Sequence, residues 1–557
     1  IYSIMYILYF SRIIRDFKLI KKFIKLEQPS EFLLFESSNS HERDFNNIVQ
    51  YVCSIKKVPF KIIPLEQKSS VSTKPRKSFK KNVQNTLNSL ITVKSIMNII
   101  RAISLKIYKL KMLILFGRDA NCKNILMHTG YREENLKYTA SKNNQFLVLL
   151  FNFNLSFQNI IDHFKDLFKL KKVGLNIYLN YYANKKLYRK EIDFVNNTFV
   201  KWNRVLEDLN YVNSIVYKNY DLWPLVKDFI YTTVNYRFRD FIRKILRIRE
   251  LFEKEKISFL ALHADVFETS KICALIAKKK GIPSFVIQHG ITGGSHGFLP
   301  LTADKIAIWG KLSQKKLLEW GLPNDRMVIT GTPRFDRYFQ LKKNEDLLKK
   351  IRNSVFQEFG IDPSKKLIVL TTSHGNYKIL LASEYIELHK KRIILMFEEI
   401  LKAIGQLPNC FLIIKLHPGD PNDYIPKDLI RRFEIKNAKV VINYNTEKLI
   451  VSCNCLITRF STTGLEAMIL NKSVIALDLQ GNLDKHLPYG KYGVAYTLTN
   501  YNNLISTIKK AMSAPFPKRN YENLLNDCFY KVNGLSTHRL IKLIKNTITN
   551  QDKKKNT

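Results

Sequence analysis

Residues 281 to 297 read GIPSFVIQHGITGGSHG, an apolar run that stops at His289 and the glycines 290, 293, 294 and 297. On both sides the chain alternates strand-like and helix-like segments. Upstream lie the strand "ISFLALHAD" and the helix "VFETSKICALIAKKK"; downstream come the strand "DKIAIWG", the helix "LSQKKLLEWG" and the short strand "RMVITG", which leads into "TPRFDRYF". The pattern restarts after "FGIDPSKK". Strands "LIVLTTS", "CFLIIKL", "KVVIN", "CLITRF" and "SVIALDL" are interleaved with helices over 384–405, near 446–452 and at "TTGLEAMILN". Alternating units of this kind build parallel sheets covered by helices on both faces. Two such series predict an α/β fold with two doubly wound domains facing across a cleft.

The boundaries follow from that division. A helix is expected over 1–30, the first domain with a helical insertion over 31–340, a linker over 341–365, the second domain over 366–548 and a disordered basic tail, "NQDKKKNT", at its end over 549–557. In the first half "EFLLFES", "PFKIIPLE" and "QFLVLLFNF" read as strands. The stretch from about 191 to 256 reads as helical, because Phe, Trp, Leu, Val and Tyr recur there at three- and four-residue steps. That aromatic stripe is read as core.

The composition narrows the function classes. With 91 Lys and Arg against 47 Asp and Glu, the formal net charge is +44, which suits a polyanionic neighbour: a membrane surface, a nucleic acid or a phosphorylated substrate. An AT-rich genome would produce the same excess of lysine, and the basic residues are spread along the chain. No zinc-finger spacing and no aromatic RNA-binding motif is present, so nucleic acid is not expected as a partner. Seven cysteines without paired spacing, apart from Cys453 and Cys455, argue for a reducing compartment. No run reaches the ~18 apolar residues that span a bilayer, so the expected location is the cytoplasm. The opening "IYSIMYILYFSRIIRDFKLIKKFIKL" leaves two readings: a basic amphipathic helix at the inner face of a membrane, or a helix packed on the protein's own surface.

In open parallel sheets ligands bind beyond the carboxyl ends of the strands, and the polar signals of this chain fall there. His263 and Asp265 follow "ISFLAL", His289 and Gly290 follow "SFVIQ", and Ser373, His374 and Gly375 end "LIVLTTS". In the second series Lys415 and His417 end "FLIIKL", Arg459 and Ser461 follow "CLIT", and Asp478 follows "SVIAL". Each signal also has a plain structural reading. The glycines after His289 would serve a tight turn, and Pro418 and Gly419 would only stop a strand. Ser461, Thr462 and Thr463 open a helix, where they either hold an anion or cap the helix. Glu466, one turn in, would reach a ribose or sugar hydroxyl or favour the helix dipole.

Taken together, "GIPSFVIQHG", "ITGTPRFDRYF", "IKLHPGD" and "STTGLEAMILNKSVIALD" resemble the GT-B glycosyltransferase superfamily. The branch they resemble holds CDP-glycerol glycerophosphotransferases, capsular polysaccharide transferases and UDP-N-acetylglucosamine 2-epimerase-like proteins. The resemblance covers about 257 to 500. It implies two Rossmann-like domains, with the acceptor on the first and the nucleotide donor on the second. It implies His289 and His417 as the essential pair, Ser461, Thr462 and Thr463 around the donor diphosphate, and Glu466 at the ribose. Gly290, Arg334, Ser373, His374, Gly375, Lys415 and Arg459 complete the expected donor site. Two departures, Thr458-Arg459-Phe460 before the hydroxyl cluster and "ITGGSHG" after the His-Gly step, favour a sugar over glycerol phosphate as the transferred group.

The expected function is therefore a transferase that moves a sugar or polyol phosphate from a nucleotide-activated donor to a surface glycan or lipid-linked acceptor in cell-envelope or capsule synthesis. His289 is the expected general base. His417 positions or protonates a phosphate oxygen, and neither a cofactor nor a metal is invoked. Two alternatives are an epimerase on the same scaffold, with Asp265, Glu268 and Asp478 as proton acceptors, and a catalytically silent protein that binds polyanions or membranes.

Overall fold

The structure, a computed structural model, describes residues 17–18, 20–21, 24–25, 27–29, 31–35, 40–63, 100–108, 123–128, 146–152, 175–182, 185–207, 216–217, 220–232, 238–372, 383–417, 424–459, 461–479, 487–514 and 517–556. Among them are seventeen strands. The first two, β1 (Phe32–Phe35) and β2 (Phe60–Ile63), pair only with each other, in parallel. Next come β3 (Lys123–His128), β4 (Phe146–Asn152), β5 (Leu175–Tyr178), a short antiparallel pair β6 (Val216–Tyr217) and β7 (Tyr220–Asp221), then β8 (Ile257–Leu262), β9 (Ser284–Ile287), β10 (Lys305–Ile308) and β11 (Met327–Ile329). Outside the short pair these form one parallel sheet, in the order β11-β10-β9-β8-β3-β4-β5.

The second sheet holds β12 (Lys366–Thr371), β13 (Cys410–Lys415), β14 (Ala438–Val441), β15 (Cys455–Thr458), β16 (Ser473–Leu477) and β17 (Tyr496–Leu498), also parallel, in the order β14-β13-β12-β15-β16-β17. All residues of β9, β13 and β15 are buried, which explains why these strands read as unbroken apolar runs. The α/β class with two doubly wound sheets is as expected. In the second sheet the order reverses between β12 and β15, and in the first between β8 and β3. Such switch points open a crevice at the strand tips.

Several boundaries differ from the expectation. Residues 341–365 are not a linker: they contain the helix Glu345–Phe359, capped by the Asn344 side chain and ended by Gly360 at φ 63°. Val355 and Phe356 of that helix, with Phe335, Tyr338, Phe339 and Leu341 before it, are buried in the core of the second sheet. The apolar spacing of 345–359 is what seats it there. The chain thus joins the second unit soon after β11.

The last helix, Ser536–Asn556, leaves that unit again. Its Leu540, Ile541, Ile544 and Ile548 are buried against Ile125, Phe259, Phe285 and Ala307 of the first sheet. The expected disordered tail is helical through Asn556, because this apolar face anchors the preceding turns and Gln551 reaches the Gly281 carbonyl. Asp336 holds the start of the same helix, accepting from Ser536 N (3.0 Å), Thr537 N (2.7 Å) and Thr537 Oγ1 (2.6 Å).

Near the N-terminus, Phe17, Ile20 and Ile24 are buried against Ile48, Val52, Leu225 and Val226. Of the two readings of the opening segment, packing on the protein's own surface is the one its described apolar residues follow. The helical stretch expected over 191–256 is three helices, Lys185–Glu207, Trp223–Thr232 and Phe238–Lys254. No helix among the described residues is long and apolar enough to cross a membrane.

Candidate functional site

The strand tips of the second sheet are in register. Thr371 of β12 stands opposite Lys415 of β13 on one side and Thr458 of β15 on the other, and Lys415 in turn faces Val441. A row of polar residues therefore ends the three adjacent strands β13, β12 and β15, each after a buried apolar run. Thr371 Oγ1 donates to Thr458 Oγ1 (3.1 Å) and lies 2.8 Å from Thr463 Oγ1. Thr463 begins the helix Thr463–Ile469, and its hydroxyl also donates to Ser461 Oγ (3.0 Å). Ser461 Oγ further accepts from Thr463 N at 3.3 Å, so Ser461 does cap this turn.

Above this edge lies a cavity of about 560 Å³, within the size range of small-molecule sites. Arg334, Lys415, His417, Ser461, Thr462, Thr463 and Glu466 all line it. The fold thus brings together seven expected site residues from three separate parts of the sequence. The opposite wall is Ile442 to Glu447, the segment after β14, which was not anticipated. Its Asn445 caps the helix Thr446–Ser452, accepting from Glu447 N at 2.8 Å. The run "INYNT" directly after an apolar strand was the available signal.

Two cations set the electrostatics. The Lys415 ammonium is buried, donates to the Leu416 carbonyl at 2.6 Å, and is held below its ordinary pKa by that burial. The Arg334 guanidinium pairs with Glu466, whose other oxygen accepts from Tyr338 Oη at 2.7 Å. Glu466 is only 2% exposed. Both its oxygens are engaged, so it braces Arg334 and Tyr338 at the cavity wall. Burial first, and then Glu466, push the Tyr338 phenol well above its ordinary pKa and keep it a donor. His417 N donates to Thr372 Oγ1 at 2.9 Å, which ties the tip of β13 to that of β12.

Not every expected residue reaches the cavity. Arg459 is partly buried, does not line it, and its Nε has no hydrogen-bond partner among the described residues. Ser373, His374 and Gly375 lie outside the described residues. His289 and Gly290 sit on the other sheet, past the tip of β9, and do not line the cavity.

The His289 ring stacks on Phe298 with centroids 5.2 Å apart and lies 4.5 Å from the His263 ring. Its Nδ1 is 3.1 Å from the His263 carbonyl oxygen. A carbonyl only accepts, so Nδ1 carries the hydrogen and Nε2 keeps its lone pair. Burial lowers the imidazole pKa, which favours the neutral, basic form. A Cβ built on Gly290 would meet nothing within 4 Å, and its φ is not positive, so no turn constraint requires glycine there.

Two of the three carboxylates named for the epimerase reading, Asp265 and Glu268, are engaged within the first unit. Asp265 accepts from Ala303 N at 2.7 Å and from Thr302 N, pinning the turn before β10, and Glu268 pairs with Lys244 at 2.6 Å. Among the described residues no group of three or more His, Cys, Asp or Glu side chains is placed to hold a metal ion.

Residues 319–546 match the family described as CDP-Glycerol:Poly(glycerophosphate) glycerophosphotransferase. This is one of the branches that the sequence motifs resemble, and it is a transferase family. No curated protein matches the chain. Among solved structures, the UDP-GlcNAc 2-epimerase of Neisseria meningitidis bound to UDP-GlcNAc is 17% identical, with 76% of this chain and 100% of that one covered and a TM-score of 0.48. The UDP-GlcNAc 2-epimerase of Methanocaldococcus jannaschii is 14% identical, covering 76% and 99%, at 0.47. The wall teichoic acid polymerase TagF is 14% identical, covering 85% and 100%, at 0.41.

Proposed function

We propose that the protein is a glycerophosphotransferase-type enzyme, which transfers a polyol phosphate from a cytidine-diphosphate-activated donor to a hydroxyl at the end of an envelope polymer. The observation that carries this is the cavity at the β12/β15 switch point, where Arg334, Lys415, His417 and the start of the Thr463–Ile469 helix converge. Two cations at such a cavity are what a leaving phosphate needs as charge develops on it. The family match over 319–546 favours glycerol phosphate over a sugar as the transferred group. It outweighs the two sequence departures, because it spans the whole donor unit whereas they concern single loops.

In this reading the acceptor oxygen attacks the distal phosphorus of the donor. The bond between that phosphorus and the bridging oxygen breaks, and its electron pair leaves with cytidine monophosphate. The acceptor proton passes to His289 Nε2, which the Nδ1 bond to the His263 carbonyl leaves free. Arg334 and Lys415 neutralise the departing phosphate, and His417 positions one of its oxygens.

The test is product release. The protein is incubated with CDP-glycerol, and in parallel with UDP- and CDP-sugars, each with and without a glycerol-phosphate-terminated acceptor. Acceptor-dependent release of CMP from CDP-glycerol supports the proposal. Release of UDP or CDP from a nucleotide sugar alone would return the chemistry to sugar transfer, and donor isomerisation would make it an epimerase.

A further inference from the structure

We propose that Arg239, Arg243 and Arg247 form a binding stripe for the phosphates of the anionic polymer that serves as acceptor. This rests on the transferase reading above and assigns its acceptor a site. The three arginines lie at successive four-residue steps of the helix Phe238–Lys254 and so share one face. The stripe runs about 12 Å along that helix, which suits a chain of anionic groups more than one phosphate.

The face is short of counter-charge. Buried Glu191 accepts from Arg243 Nη2 at 2.9 Å and Nε at 3.3 Å, and from Arg239 Nε at 3.4 Å. One carboxylate thus serves two guanidiniums. Arg247 makes no ion pair among the described residues; burial first, then the charge of Arg243, lower its pKa. Asp240, the neighbouring acid, is occupied by Lys244 at 2.5 Å. A partly buried guanidinium repelled by its neighbour is a group that an added anion would stabilise.

The stripe is placed for an acceptor. Lys244 also pairs with Glu268, the first residue of the helix Glu268–Lys279 that follows β8. That contact sets the first half of the arginine helix at the carboxyl edge of the first sheet, the edge that carries His263 and His289. At the other end Asn124, near the start of β3, donates to the Glu255 carbonyl, so the helix spans from one sheet edge to the other. A polymer whose terminal hydroxyl meets His289 would pass its trailing phosphates towards this face.

The test titrates the full chain and its Arg247→Gln and Arg239→Gln variants with a synthetic oligo(glycerol phosphate), at low and high salt. Parallel arms use CDP and phosphatidylglycerol vesicles. Arg239, nearly half exposed, is the variant least able to disturb folding. Each substitution is expected to weaken oligomer binding about tenfold and to flatten its salt dependence, with CDP affinity and melting temperature unchanged. Oligomer affinity equal to the parent's in both variants overturns the proposal. So does a loss confined to vesicles, which would make the stripe a lipid contact. Failure of the parent to release CMP from CDP-glycerol would refute the transferase reading separately, since the oligomer titration does not depend on turnover.

Discussion

Replacing Glu466 by alanine separates two roles that one side chain can play. If Glu466 holds a ribose hydroxyl, its removal weakens nucleotide binding and little else. If it is the brace that the geometry describes, removal strands two partners, the Arg334 guanidinium, 12% exposed, and the Tyr338 hydroxyl. Breaking a buried pair by deleting one partner costs about 3–5 kcal/mol. The lower figure applies here, because the pair lines a cavity that water can enter. Since 1 kcal/mol shifts the melting temperature of a domain of this size by roughly 2–4 °C, Glu466→Ala should melt about 10 °C lower. Glu466→Gln, which can still accept from Tyr338, should lose less. Calorimetric melting and CDP titration of both variants provide the assay. Nucleotide affinity should fall in Glu466→Ala as well, since Arg334 is then unheld. A Glu466→Ala protein that melts with the parent but binds CDP far more weakly would refute the brace and restore the ribose contact.

Three further outcomes are expected. His289→Ala should lower turnover about a hundredfold or more with CDP affinity retained; because burial depresses the imidazole pKa, activity in the parent should persist as pH falls through the ordinary histidine value and be lost only below it, and an acid limb at or above that value in a pH–rate profile would remove His289 as the base. Gly464→Ala would place a Cβ 2.6 Å from the buried Tyr489 hydroxyl, so the helix start must shift and CDP affinity should drop, whereas an unchanged titration would show that the Tyr489 ring yields. Asp336→Ala removes three hydrogen bonds at the start of the last helix and should destabilise by about 1–2 kcal/mol, read from denaturant midpoints; no shift there would mean that the helix is held by its apolar face alone.

Much of the second unit was legible because β13 and β15 are buried throughout, and β12 and β16 after their first residue, so that they read as nearly unbroken apolar runs. "LIVL", "CFLII" and "VIAL" sit at β12, β13 and β16, and the polar residue directly after each run, Thr371, Lys415 and Asp478, marks the edge where ligands gather. The first unit was harder to read. Strands β3, "KNILMH", and β5, "LNIY", are short and carry polar residues, so periodicity did not separate them from loop. The joint between the units was misplaced for a related reason. An amphipathic helix such as Glu345–Phe359 looks the same in sequence whether it packs on a neighbouring sheet or bridges two domains.

What sequence order conceals most is which strand tips become neighbours. Thr371 and Thr458 are far apart in the chain, yet β12 and β15 pair, so their hydroxyls meet and draw in Thr463. That meeting changes the reading of "STTG". Thr463, expected to face a diphosphate, spends its hydroxyl on the strand tips and on Ser461, while Ser461 caps the turn. A hydroxyl already donating into the fold can still accept but has little left to donate to an anion. Thr463 N is taken by Ser461 Oγ and Gly464 N by the Ser461 carbonyl, so the anion-binding power of this edge rests on Arg334 and Lys415 beside it. Arg459, the cation nearest in sequence, does not line the cavity, whereas Arg334, which comes from beyond the other sheet, does. Charge at a strand tip is visible in a sequence, but the side chain that aims it depends on the order in which the strands pair.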